Sequence, residues 1–200
     1  MAGLYTVTIV NGGCSTTYTV SVVVNQATAS ASSNSPLCSS KSLNLSATGG
    51  GTYSWSGPNS FTNTNQNPII TNAQPLNTGI YSVTVTSTNG CTATATTSVV
   101  ISQTPIVGVQ SNSPTCSGGS LNLSASGGLT YSWSGPGAFT STDQNPVRVN
   151  VTTSMSGVYS VTVQGNGSCT SSSTISVVIN PNPTVTATSN GQCVAVEVLV

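Results

Sequence analysis

The chain has 200 residues, of which only Lys41, Arg148, Asp143 and Glu197 are charged; it has no histidine and a net charge of zero. Two cations cannot neutralise a run of phosphates, which argues against a nucleic-acid-binding face, and two distant carboxylates cannot build the oxygen cage of a Ca²⁺ site. Without histidine no ordinary nucleophile–base pair can be drawn, so the expectation is a protein that is not an enzyme, binds no metal and needs no cofactor.

Val, Ile, Leu, Tyr and Trp alternate with Ser, Thr, Asn and Gly along most of the chain. Branched Cβ atoms suit a pleated surface, so this pattern predicts a folded, all-β protein rather than a disordered one. No stretch approaches the roughly 18 successive apolar residues of a membrane span.

In chain order, residues 1–7 alternate like a strand and lack the basic start and apolar core of a signal peptide. They suggest a fragment, or a mature chain with Met1 added. Gly3-Leu4-Tyr5 and Cys14 match Gly79-Ile80-Tyr81 and Cys91 further on. Residues 2–26 are therefore expected to be the last hairpin of a repeat.

Residues 27–103 and 104–180 are two complete repeats. Cys38 recurs as Cys116, Trp55 as Trp133, Phe61 as Phe139, Tyr81 as Tyr159 and Cys91 as Cys169, each pair 78 positions apart without a gap. Self-similarity of this kind marks a tandem array of one structural unit. Within the first repeat, turn signals separate strands expected over 27–33, 43–47, 53–55, 68–71, 81–85 and 92–101. Period-two alternation places Leu43, Leu45, Trp55, Tyr81, Val83 and Val85 on an inner face, with Trp55, Trp133, Tyr81 and Tyr159 as the large core residues. Residues 181–200 match the start of a repeat, Pro183 to Cys193 following Pro105 to Cys116 with one deletion.

Two features resemble the immunoglobulin superfamily: the single Trp on the third strand, and Gly79-Ile80-Tyr81-Ser82-Val83, repeated as Gly157-Val158-Tyr159-Ser160-Val161. The second resembles the Gly-x-Tyr-x-Cys start of strand F, with Val in place of Cys. The resemblance implies tandem immunoglobulin-like β-sandwiches, with Tyr81 and Tyr159 bonding the backbone just upstream as tyrosine corners. In that lettering residues 2–26 supply strands F and G, and residues 181–200 supply strand A and the start of B. Ser-Asn-Ser-Pro-x-Cys, Leu-Asn-Leu-Ser-Ala, Tyr-Ser-Trp-Ser-Gly-Pro and Gln-Asn-Pro together resemble the Ig-like and PKD-like repeats of Bacteroidetes surface proteins. Those repeats occur in adhesins and gliding-associated proteins exported by type IX secretion. This implies a secreted, extracellular or cell-surface location.

Six cysteines without histidine, no two within four positions, point to disulfides in an oxidising space rather than to zinc. Cys14, Cys38, Cys91, Cys116, Cys169 and Cys193 are the candidates. Two pairings are open. Cys38–Cys91 and Cys116–Cys169 share a spacing of 53, which favours them if strand A takes an unusual route. An immunoglobulin topology instead puts the A–B and F–G turns at opposite ends, about 23 Å apart over seven strand residues. It favours Cys38 with Cys169 of the next repeat.

The aromatic set Tyr53, Trp55, Phe61 and Tyr81 invites comparison with a sugar-binding surface, but inward alternation makes Trp55 and Tyr81 core. The sequons at Asn44, Asn122, Asn150 and Asn166 follow from an Asn/Ser/Thr-rich composition. Asp143 and Arg148 share a loop, where a surface ion pair would contribute little. The leading expectation is a stalk or fibre module whose partners are neighbouring repeats or copies of itself; its two half repeats are read either as the frayed ends of a longer array or as complementary parts through which chains assemble head to tail into a filament. The alternative is an adhesive module gripping surface glycan through sandwich-end loops.

Overall fold

The computed structural model describes residues 1–188; Cys193 and the alternating segment after it lie outside the described residues. Residues 181–188 form no strand.

The first element is a hairpin. Strand β1 (Gly3–Asn11) pairs antiparallel with β2 (Cys14–Val22), from Gly3↔Val22 to Asn11↔Cys14. Gly12 and Gly13 make the turn at φ 56° and 83°, the left-handed backbone a two-residue hairpin turn requires. Every residue of both strands is exposed, including Tyr5, Val7 and Ile9.

The next nine strands are β3 (Ser30–Ser33), β4 (Leu37–Cys38), β5 (Leu43–Thr48), β6 (Thr52–Gly57), β7 (Phe61–Asn63), β8 (Ile69–Ile70), β9 (Gly79–Thr86), β10 (Thr92–Val99) and β11 (Ile101–Ser102). One sheet runs β10-β9-β6-β7 and the other β3-β5-β8. In immunoglobulin lettering these are G-F-C-C′ and A-B-E, the two sheets of that sandwich. Alternation decides which face turns inward. Leu43, Leu45 and Ala47 of β5 are buried while Asn44, Ser46 and Thr48 are exposed, and Tyr81, Val83 and Val85 of β9 face them. Trp55 lies between the sheets with Val99, Ile101 and Ala73.

Two expected strands differ: the one over 27–33 is shortened and followed by an additional short strand, and the one over 92–101 is split. Strand A pairs with β5 only over Ser30–Ser33; the chain then continues as β4, which forms a separate two-stranded sheet with β11, parallel, with Ile101↔Leu37 and Ser102↔Cys38. The last strand breaks at Val100 between β10 and β11. Phe61 lies in strand β7.

The following segment repeats this plan as β12 (Gly108–Ser111), β13 (Thr115–Cys116), β14 (Leu121–Ser126), β15 (Thr130–Gly135), β16 (Phe139–Ser141), β17 (Val147–Arg148), β18 (Gly157–Gln164), β19 (Thr170–Val177) and β20 (Ile179–Asn180). Its sheets run β16-β15-β18-β19 and β12-β14-β17, with β13 parallel to β20. Its core holds Leu121, Leu123, Trp133, Tyr159, Val161 and Val163, the counterparts of the first set 78 positions on. The chain is all-β and carries two immunoglobulin-like sandwiches. By compactness it divides into Met1–Pro105 with Gly165–Cys169, and Ile106–Gln164 with Thr170 onward. No described helix is long and apolar enough to cross a membrane.

Candidate functional site

The aromatic residues are structural. Trp55 and Trp133 are each 1% exposed, and each indole N–H is satisfied: Trp55 Nε1 donates to the Gln66 carbonyl at 3.3 Å and Trp133 Nε1 to that of Asp143 at 3.0 Å. Tyr81 and Tyr159 are fully buried, and their hydroxyls donate to the carbonyls of Asn77 and Met155. Each phenol therefore ties strand F to the 3₁₀ turn just before it, Pro75–Asn77 or Thr153–Met155. Burial raises the Tyr81 pKa above the ordinary tyrosine value, because the phenolate would lose its hydration. Phe61 and Phe139 stand edge-on to these tyrosines, centroids 5.4 and 5.6 Å apart. Tyr53 and Phe61 are half-buried, so none of the four aromatics of the first sandwich offers a fully exposed ring face to a sugar.

Arg148 takes no part in a loop ion pair with Asp143. Its guanidinium lies 4.8 Å from the Phe139 ring centroid and donates to Tyr159 Oη at 2.7 Å and to the Pro136 carbonyl at 2.9 Å. Asp143 accepts instead from Ser141 Oγ. No group of three or more metal-ligating side chains forms among the described residues. The first sandwich also carries an open groove of about 470 Å³ lined by Ser54, Ser56, Thr62, Asn63, Thr64 and Asn65 beside Trp55.

The cysteines supply the chemistry. Cys38 and Cys169 form a disulfide, Cα atoms 5.6 Å apart and 131 positions apart in sequence. Cys38–Cys91 and Cys116–Cys169, the pairings equal spacing favoured, do not form. The reason is the route of strand A. Its second half, β4, runs beside the far end of the last strand, so Cys38 sits level with Ser102. Cys91 immediately precedes Thr92, the other end of that strand. About ten extended residues separate the two levels, roughly 33 Å, against the ~7 Å a disulfide allows.

The turn Gly165–Cys169, between β18 and β19, groups with the first compact unit and meets Cys38 there. Gly165 N–H donates to the Cys169 carbonyl at 2.8 Å, closing the turn, and Cys169 Sγ lies 3.8 Å from the Ser102 carbonyl. A Cβ on Gly167 would run into Ser102, so the close approach depends on that glycine. On the other side Ser39 N–H donates to Ser102 and Ser40 N–H to Ala73, fixing the backbone that presents Cys38. Cys169 is fully buried. Cys14, Cys91 and Cys116 are free thiols: the first and last are exposed, and Cys91 is half-buried with its thiol 3.5 Å from the Asn25 carbonyl.

No known protein family matches the sequence, and no curated protein matches it. Among solved structures the chain is similar to murine CEACAM1b at 14% identity and a TM-score of 0.46, over 76% of this chain and 100% of that one. It is also similar to the three N-terminal domains of the bacteriophage RB49 highly immunogenic outer capsid protein, at 21% identity and a TM-score of 0.36, over 77% of this chain and 59% of that one. A third similarity, to an amphioxus IgVJ-C2 molecule, has 15% identity and a TM-score of 0.39, over 70% of this chain and 97% of that one.

Proposed function

We propose that the chain is a load-bearing stalk module of an extracellular surface protein of the bacterial repeat type it resembles, with no catalytic role. The observation that carries this reading is the Cys38–Cys169 bond. A disulfide between residues 131 positions apart encloses β5 through β18 in one covalent loop. Tension applied at the two ends of the chain crosses from Cys38 to Cys169 through sulfur and bypasses everything inside the loop. Both buried tryptophans and both tyrosine corners lie within it. A module built this way resists extension even when a sandwich opens transiently. An oxidising space, where structural disulfides persist, suits such a bond, and a neutral surface of hydroxyls and amides suits a spacer.

Single-molecule stretching of the intact protein tests the load-bearing role. The oxidised chain is expected to release only the residues outside the loop, and reduction is expected to add roughly 450 Å of contour length at about 3.5 Å per residue. Equal contour lengths before and after reduction would remove the basis of the reading.

The adhesive reading is supported by one feature, the polar groove beside Trp55. Its amides and hydroxyls have the chemistry of a carbohydrate contact. A glycan array separates the two roles: the stalk reading expects no hit, and a saturable hit lost on Asn63→Ala would transfer the function to the groove.

A further inference from the structure

Asn-Gly stands at three described turns: Asn11-Gly12, Asn89-Gly90 and Asn166-Gly167. Asn is a thermolabile residue, and before glycine no Cβ hinders the next backbone nitrogen from approaching its side-chain carbonyl carbon. The two turns inside the complete sandwiches, both between strands F and G, hold the dipeptide differently. Gly90 N–H donates to the Ser87 carbonyl at 3.0 Å, so the nitrogen that would attack is already engaged. Gly167 lies in the middle of the 3₁₀ turn Asn166–Ser168 at φ 62° and ψ 26°. Its N–H reaches no backbone carbonyl among the described residues. Asn89 and Asn166 are both exposed, so water reaches each side chain equally and the engaged nitrogen is what separates them.

The turn at Asn166 also carries Cys169, half of the disulfide. Gly165 N–H donates to the Cys169 carbonyl at 2.8 Å and closes a ring of backbone atoms that runs through Asn166 and Gly167. Gly167 packs so closely against Ser102 that a Cβ would not fit. The ring is therefore held on one side by its own hydrogen bond and on the other by Ser102, and it has no slack for an added backbone atom.

We infer that Asn166 is a site of self-modification by deamidation, and that its product loosens the turn presenting Cys169. The Gly167 nitrogen gives up its proton and attacks Asn166 Cγ. The side-chain nitrogen takes up a proton and leaves as ammonia, and a cyclic imide remains. Water then opens the imide at either carbonyl carbon, its oxygen going to that carbon and a proton returning to the Gly167 nitrogen. Opening at Cγ gives an ordinary Asp-Gly peptide. Opening at the main-chain carbonyl carbon gives an isoaspartyl link, in which the chain runs through Cβ and Cγ. Either product adds a carboxylate to a chain whose net charge is zero. The isoaspartyl product also inserts a carbon into the ring that Gly165 N–H closes, so that hydrogen bond is lost and Cys169 is held less firmly beside Cys38.

The test holds the full 200-residue protein, unreduced, at mildly alkaline pH, with a parallel sample in urea. Pepsin digestion in acid, reduction and fragment mass spectrometry then follow each Asn-Gly with time. In the folded protein Asn166 is expected to convert about fivefold faster than Asn89, the factor of one net hydrogen bond on the attacking nitrogen. In urea both turns are lost and the two rates should converge. Asn89 converting as fast as Asn166 in the folded protein would overturn the assignment. So would a ratio in urea as large as in the folded chain, since local sequence alone would then explain it. Anion exchange isolates the product, and its isoaspartyl fraction should lose the Cys38–Cys169 bond to dithiothreitol several-fold faster than the unmodified protein. Asn166→Asp, which has the charge without the added carbon, should not. Equal reduction rates in all three proteins would overturn the loosening of the turn.

Discussion

The Tyr81 hydroxyl donates to the backbone carbonyl of Asn77 at 2.9 Å, from a position with no access to water. The bond anchors strand β9 to the 3₁₀ turn that enters it, and Phe61 packs edge-on against the same ring. Removing the hydroxyl leaves a carbonyl without its partner but changes little volume. Tyr81→Phe is therefore expected to cost about 0.5–1.5 kcal/mol, the usual net contribution of one hydrogen bond. Urea unfolding followed by tryptophan emission measures it; an unchanged midpoint would mean the corner contributes nothing.

The same burial makes stability depend on alkaline pH. Tyr81 has a folded pKa raised by desolvation, so its contribution is fully present below the unfolded value of about 10. Above that, the unfolded chain loses the phenolic proton first and the folded state is progressively disfavoured until pH passes the folded pKa. The unfolding midpoint of the natural chain should fall between about pH 9 and 11 more steeply than that of Tyr81→Phe. Parallel curves for the two proteins would refute the assignment.

Trp55 and Trp133 fill the space between two sheets that have no disulfide across them. Leu45 and Val83 pack with Trp55, and Leu123 and Val161 with Trp133, in one buried cluster per sandwich. Trp→Ala at either position should lose about 3–5 kcal/mol, the range for a large aromatic whose cavity cannot collapse. A loss below about 1 kcal/mol would show that the sheets close over the gap.

How much of this is legible in the sequence depends on strand length. The faces of β5 and β9 can be read from Leu43-Asn-Leu45 and Tyr81-Ser-Val83-Thr-Val85, because six to eight residues of alternation specify an inward side. The pairs Leu37-Cys38 and Ile101-Ser102 and the triplet at Phe61 are too short to carry a period, and they are where strand A leaves β5 to pair with β11 and where β7 extends the sheet beyond β6. The disulfide partner depends on that pairing. Equal spacing in sequence pointed to Cys91, while strand topology pointed to Cys169, and distance along the last strand decided between them. The role of Arg148 had no signal at all, since its counterpart in the first sandwich is Ile70.

That exchange allows a direct substitution. Arg148 lies over Phe139 and makes two charge-assisted hydrogen bonds, whereas Ile70 occupies the equivalent place by packing alone against its core. Arg148→Ile should lose about 1–2 kcal/mol, because the hydrogen bonds and the cation–π contact go while apolar contact partly replaces them. Thermal unfolding checks it. A gain in stability would show that the guanidinium is held there at a net cost.

The last prediction concerns what the disulfide does for each sandwich. Neither apolar cluster, around Trp55 or around Trp133, uses Cys38, and Cys169 lies in a turn outside both sets of packed strands. The bond therefore acts on the unfolded chain more than on the cores: it closes a loop of 131 residues and limits the conformations available once the sandwiches open. Loop-closure entropy for so long a loop sets an upper value of roughly 5 kcal/mol, and measured disulfides usually contribute about 2–4. Cys38→Ser with Cys169→Ser should lower the unfolding free energy by an amount in that range, while tryptophan emission before unfolding stays that of buried indole. Red-shifted emission in the folded double variant would mean the bond is required to assemble the cores. An unchanged unfolding free energy would mean the bond does not restrain the unfolded chain in solution.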